Sequence, residues 1–97
     1  MDNSLNILIA EDEYIVLRGL KETLIGLGHN VIGEAMDGET FVKLALEKDP
    51  DLLIVDINLP ALSGIEAIER IGKVKLVPSI IVTGYSSEET VKRANSA

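Results

Sequence analysis

Four short aliphatic runs, each followed by a stretch with helical spacing, constrain this chain more than any other feature of its 97 residues. Leu5 to Ala10 (LNILIA) is the first run, and three acids follow it. From Tyr14 to Leu27 the apolar residues recur at helical intervals: Val16, Leu20, Leu24 and Leu27 share a face, with Arg18, Lys21 and Glu22 elsewhere. Gly26 and Gly28 bracket the expected end of that helix. Val31 and Ile32 begin a second, weaker strand. Asp37 is placed to cap a helix that buries Phe41, Leu44 and Ala45, and Asp49-Pro50 breaks it. Leu52 to Val55 is a continuous aliphatic run ending in Asp56. Ser63 and Glu66 have capping-box spacing for a short helix burying Ile65, Ile68 and Ile71. Ser79 to Val82 follows Pro78 as a fourth run, and Ser86 and Glu89 open a last helix carrying Val91 and Ala94.

Strands that alternate with helices of this length predict an α/β domain, a parallel sheet with helices on both faces. Leu, Ile and Val supply 33 of the 97 residues and aromatics only 3%, the kind of core that suits strands buried on both sides. The length fits one small domain. Nine basic residues against sixteen acidic ones leave a net charge of −7, which argues against neutralising nucleic-acid phosphates and against docking on anionic lipid. There is no cysteine, so disulfides and thiolate metal sites are excluded and a cytoplasmic address is permitted. No apolar run approaches the roughly 18–20 residues of a membrane span, and Met1-Asp2-Asn3-Ser4 is no signal peptide. One more strand, one helix and two loops would need roughly 20–25 residues. The chain is therefore expected to stop short of the end of its domain.

In parallel α/β sheets ligands lie beyond the carboxyl ends of the strands. Here the first strand ends in Glu11-Asp12-Glu13, the third in Asp56 and the fourth in Thr83. If the first and third strands are neighbours, their carboxylates converge. Two carboxylates about 4 Å apart repel by roughly 4 kcal/mol at an effective dielectric of 20. Such a cluster takes up a proton, spreads apart or binds a cation, and an all-oxygen set without His or Cys selects a hard ion, Mg²⁺ best of all. Taken singly, these residues have plainer readings. Acids ahead of a helix serve as caps or dipole partners, Asp56 can be a loop carboxylate, and Thr83 an ordinary strand-terminal residue. Lys73 and Lys75 read as solvated loop charges, His29 as a turn residue without a catalytic role, and Tyr85 as a half-packed loop aromatic. The loop after the first strand lacks glycine, so neither a dinucleotide fingerprint nor a P-loop is present. Without cysteine, and with one histidine far from any nucleophile motif, a Ser-His or Cys-His engine is not supported.

Taken in order, Ile7-Leu8-Ile9-Ala10-Glu11-Asp12-Glu13, Gly33-Glu34-Ala35 with Asp37-Gly38, Asp56-Ile57-Asn58-Leu59-Pro60 with Gly64, and Ile81-Val82-Thr83-Gly84 resemble the receiver domain of bacterial two-component response regulators. The resemblance runs along the whole chain, residues 1–97. It implies a flavodoxin-like, doubly wound parallel sheet, in order 2-1-3-4 here, with the family's fifth strand and fifth helix missing. It makes Asp56 the phosphoacceptor, with Mg²⁺ held by Asp12 directly, by Glu11 mostly through water, by Asp56 and by the backbone carbonyl of Asn58. Thr83 becomes the hydroxyl that binds the phosphoryl group and switches the domain. Asn58 and Tyr85 fall where the family tunes the lifetime of that group, and Pro60 and Gly64 where it shapes the loop. The implied partners are a sensor histidine kinase and an output domain of unknown kind, and the implied role is phosphorelay signalling rather than enzymatic turnover of a metabolite. Two departures stand out: Glu11-Asp12 replaces the commoner Asp-Asp pair, and no lysine occupies the place of the family's fifth-strand lysine.

Two other classes compete. A haloacid dehalogenase-type hydrolase also starts from a strand-terminal Asp, but it wants an acid two residues on, where this chain has Asn58. A phosphorylation-independent interaction domain would use the fold only as a surface. A last expectation concerns the fourth strand. As an edge without charge it invites pairing, so the 97-residue chain is expected to self-associate.

Overall fold

The computed structural model describes residues 3–82, in the order β1 (Asn6–Ala10), α1 (Tyr14–Gly26), β2 (Asn30–Ala35), α2 (Gly38–Glu47), β3 (Leu52–Asp56), α3 (Gly64–Gly72) and β4 (Ser79–Val82). The four strands form one parallel sheet in the order β2-β1-β3-β4. This is the expected doubly wound arrangement, with β1, β3 and β4 within a residue of the aliphatic runs, while β2 extends beyond Val31 and Ile32 at both ends. The proposed last helix, Thr83 and Tyr85 lie outside the described residues.

Alternating side chains of β1 and β3 feed two cores. Leu8, Ala10, Leu53 and Val55 pack against Phe41, Val42 and Ala45 of α2 and Ala67 and Ile71 of α3. Ile7, Ile9 and Ile54 pack against Leu17 and Leu24 of α1. The central strands are thus covered on both sides, as their unbroken aliphatic composition requires.

Two helices are rotated from the faces expected of them. In α1 the buried residues are Leu17 and Leu24, with Leu20 packed beside them, while Val16 and Leu27 are exposed. In α3 the small Ala67 is fully buried with Ile71, Ile68 is partly buried, and Ile65 is exposed. Each helix carries more aliphatic residues than one stripe can hold, and α3 needs a small side chain where it meets the sheet. The caps are as expected: Asp37 accepts from Thr40 N at 2.8 Å, and Ser63 Oγ accepts from Glu66 N at 3.2 Å. Backbone and side-chain bonds from Thr40 hold the Asp37 carboxyl below its usual range.

Lys75 departs from its reading as a solvated loop charge. Its ammonium donates to the carbonyls of Ala45 and Lys48, both at 2.9 Å, and so caps the carboxyl end of α2. His29 is half-buried, and its Nδ1 accepts from the backbone N of Leu5 at 3.0 Å, which ties the start of the chain to the α1–β2 turn.

Candidate functional site

Parallel pairing of β1 with β3 sets Ala10 beside Val55, so the next residue of each strand, Glu11 and Asp56, emerges at the same end of the sheet. Glu11, Asp12 and Asp56 each offer a carboxylate oxygen, and these oxygens lie within 4.8 Å of one another. The convergence expected from the strand ends is therefore present. The three acids differ in setting: Glu11 and Asp56 are buried, at 5% and 8% exposure, whereas Asp12 is exposed.

Burial pushes the Glu11 carboxyl up to about 7, and its hydrogen bond with Asp56 adds to the rise. The backbone N–H of Glu13, 3.3 Å from Glu11 Oε2, opposes it. Glu11 is also anchored through its main chain, whose N–H donates to Ala35 O at 3.0 Å. Asp56 Oδ1 accepts from Asn58 N at 3.1 Å, so the loop after β3 turns back on its own carboxylate. Without a cation this is an overcrowded set of acids, relieved in part by a proton on Glu11.

The loop is held from two sides by glycine. Gly64 N donates to Ile57 O at 3.0 Å, and a Cβ on Gly64 would run into the carbonyl of Asp56. Gly38 N donates to Pro60 O at 3.3 Å, and a Cβ there would run into the carbonyl of Leu62. Between them Ala61 has φ +68°, and Leu62 N donates to Pro60 O at 2.7 Å, a tight γ-turn. The sequence pointed to Pro60 and Gly64 as shaping this loop. It did not show that the first residue of α2 packs on it, and the one available signal was a glycine directly after the Asp37 cap.

Of the residues singled out from the sequence, Glu11, Asp12 and Asp56 are brought together, and Asn58 contributes a backbone N–H to Asp56 while its side chain is exposed. Glu13 is exposed. Thr83 follows directly on β4, whose Val82 is in register with Asp56. Among the described residues no other group of three acidic or histidine side chains converges in this way.

A parallel sheet ordered 2-1-3-4, with acids clustered beyond β1 and β3, defines a doubly wound domain with an acidic cluster at the carboxyl ends of its strands. The chain belongs to the response regulator receiver domain family, whose model matches residues 7–97. It is 38% identical over 91 residues to the transcriptional regulatory protein PdtaR of Mycobacterium tuberculosis, covering 94% of this chain and 44% of that protein. It is 42% identical over 86 residues to the phyllosphere-induced regulator PhyR of Methylorubrum extorquens, covering 87% of this chain and 32% of that protein. The chain thus spans less than half the length of the curated relatives it matches. Among solved structures, the response regulator domain of Thermotoga maritima CheB superposes with TM-score 0.79 at 28% identity, over 96% of this chain and 72% of that one. The fold is the flavodoxin-like fold of receiver domains in two-component signalling. No helix among the described residues is long and apolar enough to cross a membrane.

Proposed function

We propose that residues 1–97 form a receiver unit that accepts a phosphoryl group on Asp56 from a sensor histidine kinase or a small phosphodonor, in the presence of Mg²⁺, and that the modified state alters a surface read by an output domain. The observation that carries this reading is the convergence of Glu11, Asp12 and Asp56 within 4.8 Å. That donor set fits Mg²⁺: it is all oxygen, it carries excess negative charge, and it lacks the nitrogen and sulfur ligands that softer metals prefer. Asp12, Asp56 and the carbonyl of Asn58 would hold the ion, with Glu11 acting mostly through water. When bound, Mg²⁺ neutralises charge on the transferring phosphoryl group.

The remaining work belongs to the chain. Asn58 N donates to Asp56 Oδ1 and so orients the carboxylate, whose Oδ2 would serve as the nucleophile once Glu11 has given up its hydrogen bond to Asp56. Attack of Oδ2 on phosphorus forms the acyl phosphate while the bond to the donor nitrogen breaks, and the electron pair stays on the imidazole. Thr83 then donates its hydroxyl to a phosphoryl oxygen, a new bond that biases the domain between two states. On this reading the domain is a signalling phosphoacceptor in the cytoplasm, and catalytic or regulatory output belongs to other parts of the parent protein. The dehalogenase reading has no support at Asn58, whose side chain is no acid.

Intact-mass spectrometry after exposure to phosphoramidate and Mg²⁺ tests the proposal. One phosphoryl adduct is expected, mapped to Asp56 and absent from Asp56→Asn. Thr83→Ala is expected to accept the group but to lose the response that follows. An adduct in Asp56→Asn at the level of the parent would overturn the assignment.

A further inference from the structure

Only Met36 and Asp37 separate the end of β2 from the start of α2, and this short connection touches both halves of the acidic cluster. At one end the carbonyl of Ala35 accepts from Glu11 N at 3.0 Å and so holds the main chain of the acids that follow β1. At the other end Gly38 N donates to Pro60 O at 3.3 Å, two residues beyond Asn58 in the loop after β3. That second contact has no slack: a Cβ on Gly38 would run into the carbonyl and the Cβ of Leu62. Leu62 N itself donates to Pro60 O at 2.7 Å, so the stretch from Pro60 to Leu62 moves as one piece. Leu59 and Leu62 are buried in the same core as Phe41 and Val42 of α2. A shift of the first turn of α2 is therefore passed to the loop that carries Asn58.

Asp37 fixes that turn. Its Oδ1 accepts from Thr40 N and its Oδ2 from Thr40 Oγ1, each at 2.8 Å, while its carbonyl accepts from Phe41 N at 3.1 Å. Both carboxylate oxygens are thus committed to the helix, and the direction of the neighbouring Gly38 N–H is set with them. Mg²⁺ tolerates little error in the placement of its ligands, and residues that only orient ligands can change metal affinity strongly. We infer that Asp37 and Gly38 are positioning residues for the acidic cluster: the capped first turn of α2 sets the spacing between the acids after β1 and the loop after β3, and so tunes cation affinity without touching the cation. The effect on affinity rests on the Mg²⁺ reading proposed above, whereas the effect on spacing does not.

Three variants of the 97-residue chain separate positioning from charge and from general stability. Asp37→Ala removes the cap and one negative charge. Asp37→Ser removes the same charge but keeps a side-chain oxygen that caps about as well. Lys75→Met loosens the other end of α2. In titration calorimetry Asp37→Ala should bind Mg²⁺ roughly fivefold more weakly than the parent, Asp37→Ser should recover most of that loss, and Lys75→Met should match the parent. Amide ¹H–¹⁵N spectra without any cation give a second readout. The signals of Glu11 and Leu62, whose N–H groups donate to Ala35 O and Pro60 O, should shift in Asp37→Ala, return toward the parent in Asp37→Ser and stay in place in Lys75→Met. Equal loss of affinity in the alanine and serine variants would assign the effect to charge and overturn the inference, as would an equal loss in Lys75→Met. A parent chain that binds no Mg²⁺ would remove the cation reading alone. The spectra then decide, and Glu11 and Leu62 signals unmoved by Asp37→Ala would overturn the positioning role.

Discussion

Glu11 is the residue at which the chemistry of the apo site is concentrated. Its carboxyl titrates near pH 7 because it is buried and hydrogen-bonded to Asp56, whereas in the unfolded chain it titrates near 4.5. Between those values the folded state holds a proton that the unfolded state has released. The corresponding stability is fully present below about pH 4.5 and is lost as the pH rises through 7. In chelator-treated protein, thermal melts should therefore show stability falling across that window, by about 3 kcal/mol in all. Glu11→Gln should flatten the slope and exceed the parent in stability above pH 7. An unchanged slope in that variant would assign the titration to another group.

Two connections between elements carry more than their sequence suggests. The carbonyl of Asp56 lies so close to Gly64 that α3 starts directly against the end of β3. Gly64→Ala should displace the loop between them and cost about 1–3 kcal/mol in denaturant unfolding, with a loss of Mg²⁺ affinity greater than any effect at Gly19, where a Cβ meets nothing. Lys75 reaches from the loop after α3 to the last carbonyls of α2. Lys75→Met keeps the aliphatic stem but removes both hydrogen bonds, and should lower stability by about 1–2 kcal/mol while leaving Mg²⁺ binding intact. The comparison separates a scaffold contact from a site contact: the glycine change should alter both readouts, the lysine change only one. These elements also mark the limit of pattern reading. The spacing of α1 identified a helix, yet both Val16 and Leu17 lie on stripes that include Leu20 and Leu24, and only contact with Ile7, Ile9 and Ile54 selects Leu17 for burial.

For the molecule as a whole, the proposed cation binding would be linked to folding, because the unfolded chain does not bring residue 56 to residues 11 and 12. Mg²⁺ at a hundred times its dissociation constant should stabilise the parent by about 2.7 kcal/mol. Asp12→Asn should lose most of that gain while its Mg²⁺-free stability rises or stays level, since one repelling carboxylate is gone. Differential scanning calorimetry with and without Mg²⁺ measures both. An equal Mg²⁺ effect in the variant would move the site away from Asp12.

The sequence by itself determined the alternation of strands and helices, because runs such as Leu52–Val55 are too apolar and too short to be stable anywhere but in a sheet covered on both faces. It also determined the caps at Asp37 and Ser63, where a side chain and a backbone N–H three residues on are local partners. The carboxylates of Glu11, Asp12 and Asp56 were legible as strand-end residues, and their resemblance to a receiver motif supplied the pairing. Their convergence within 4.8 Å is a property of the parallel β1–β3 register, which joins positions 45 residues apart and is written in no local pattern. The same is true of the carbonyls that receive Lys75, of the packing of Gly38 on the loop after β3, and of the proton on Glu11. Each depends on which surfaces meet and how much water is left between them, and only the tertiary structure decided that.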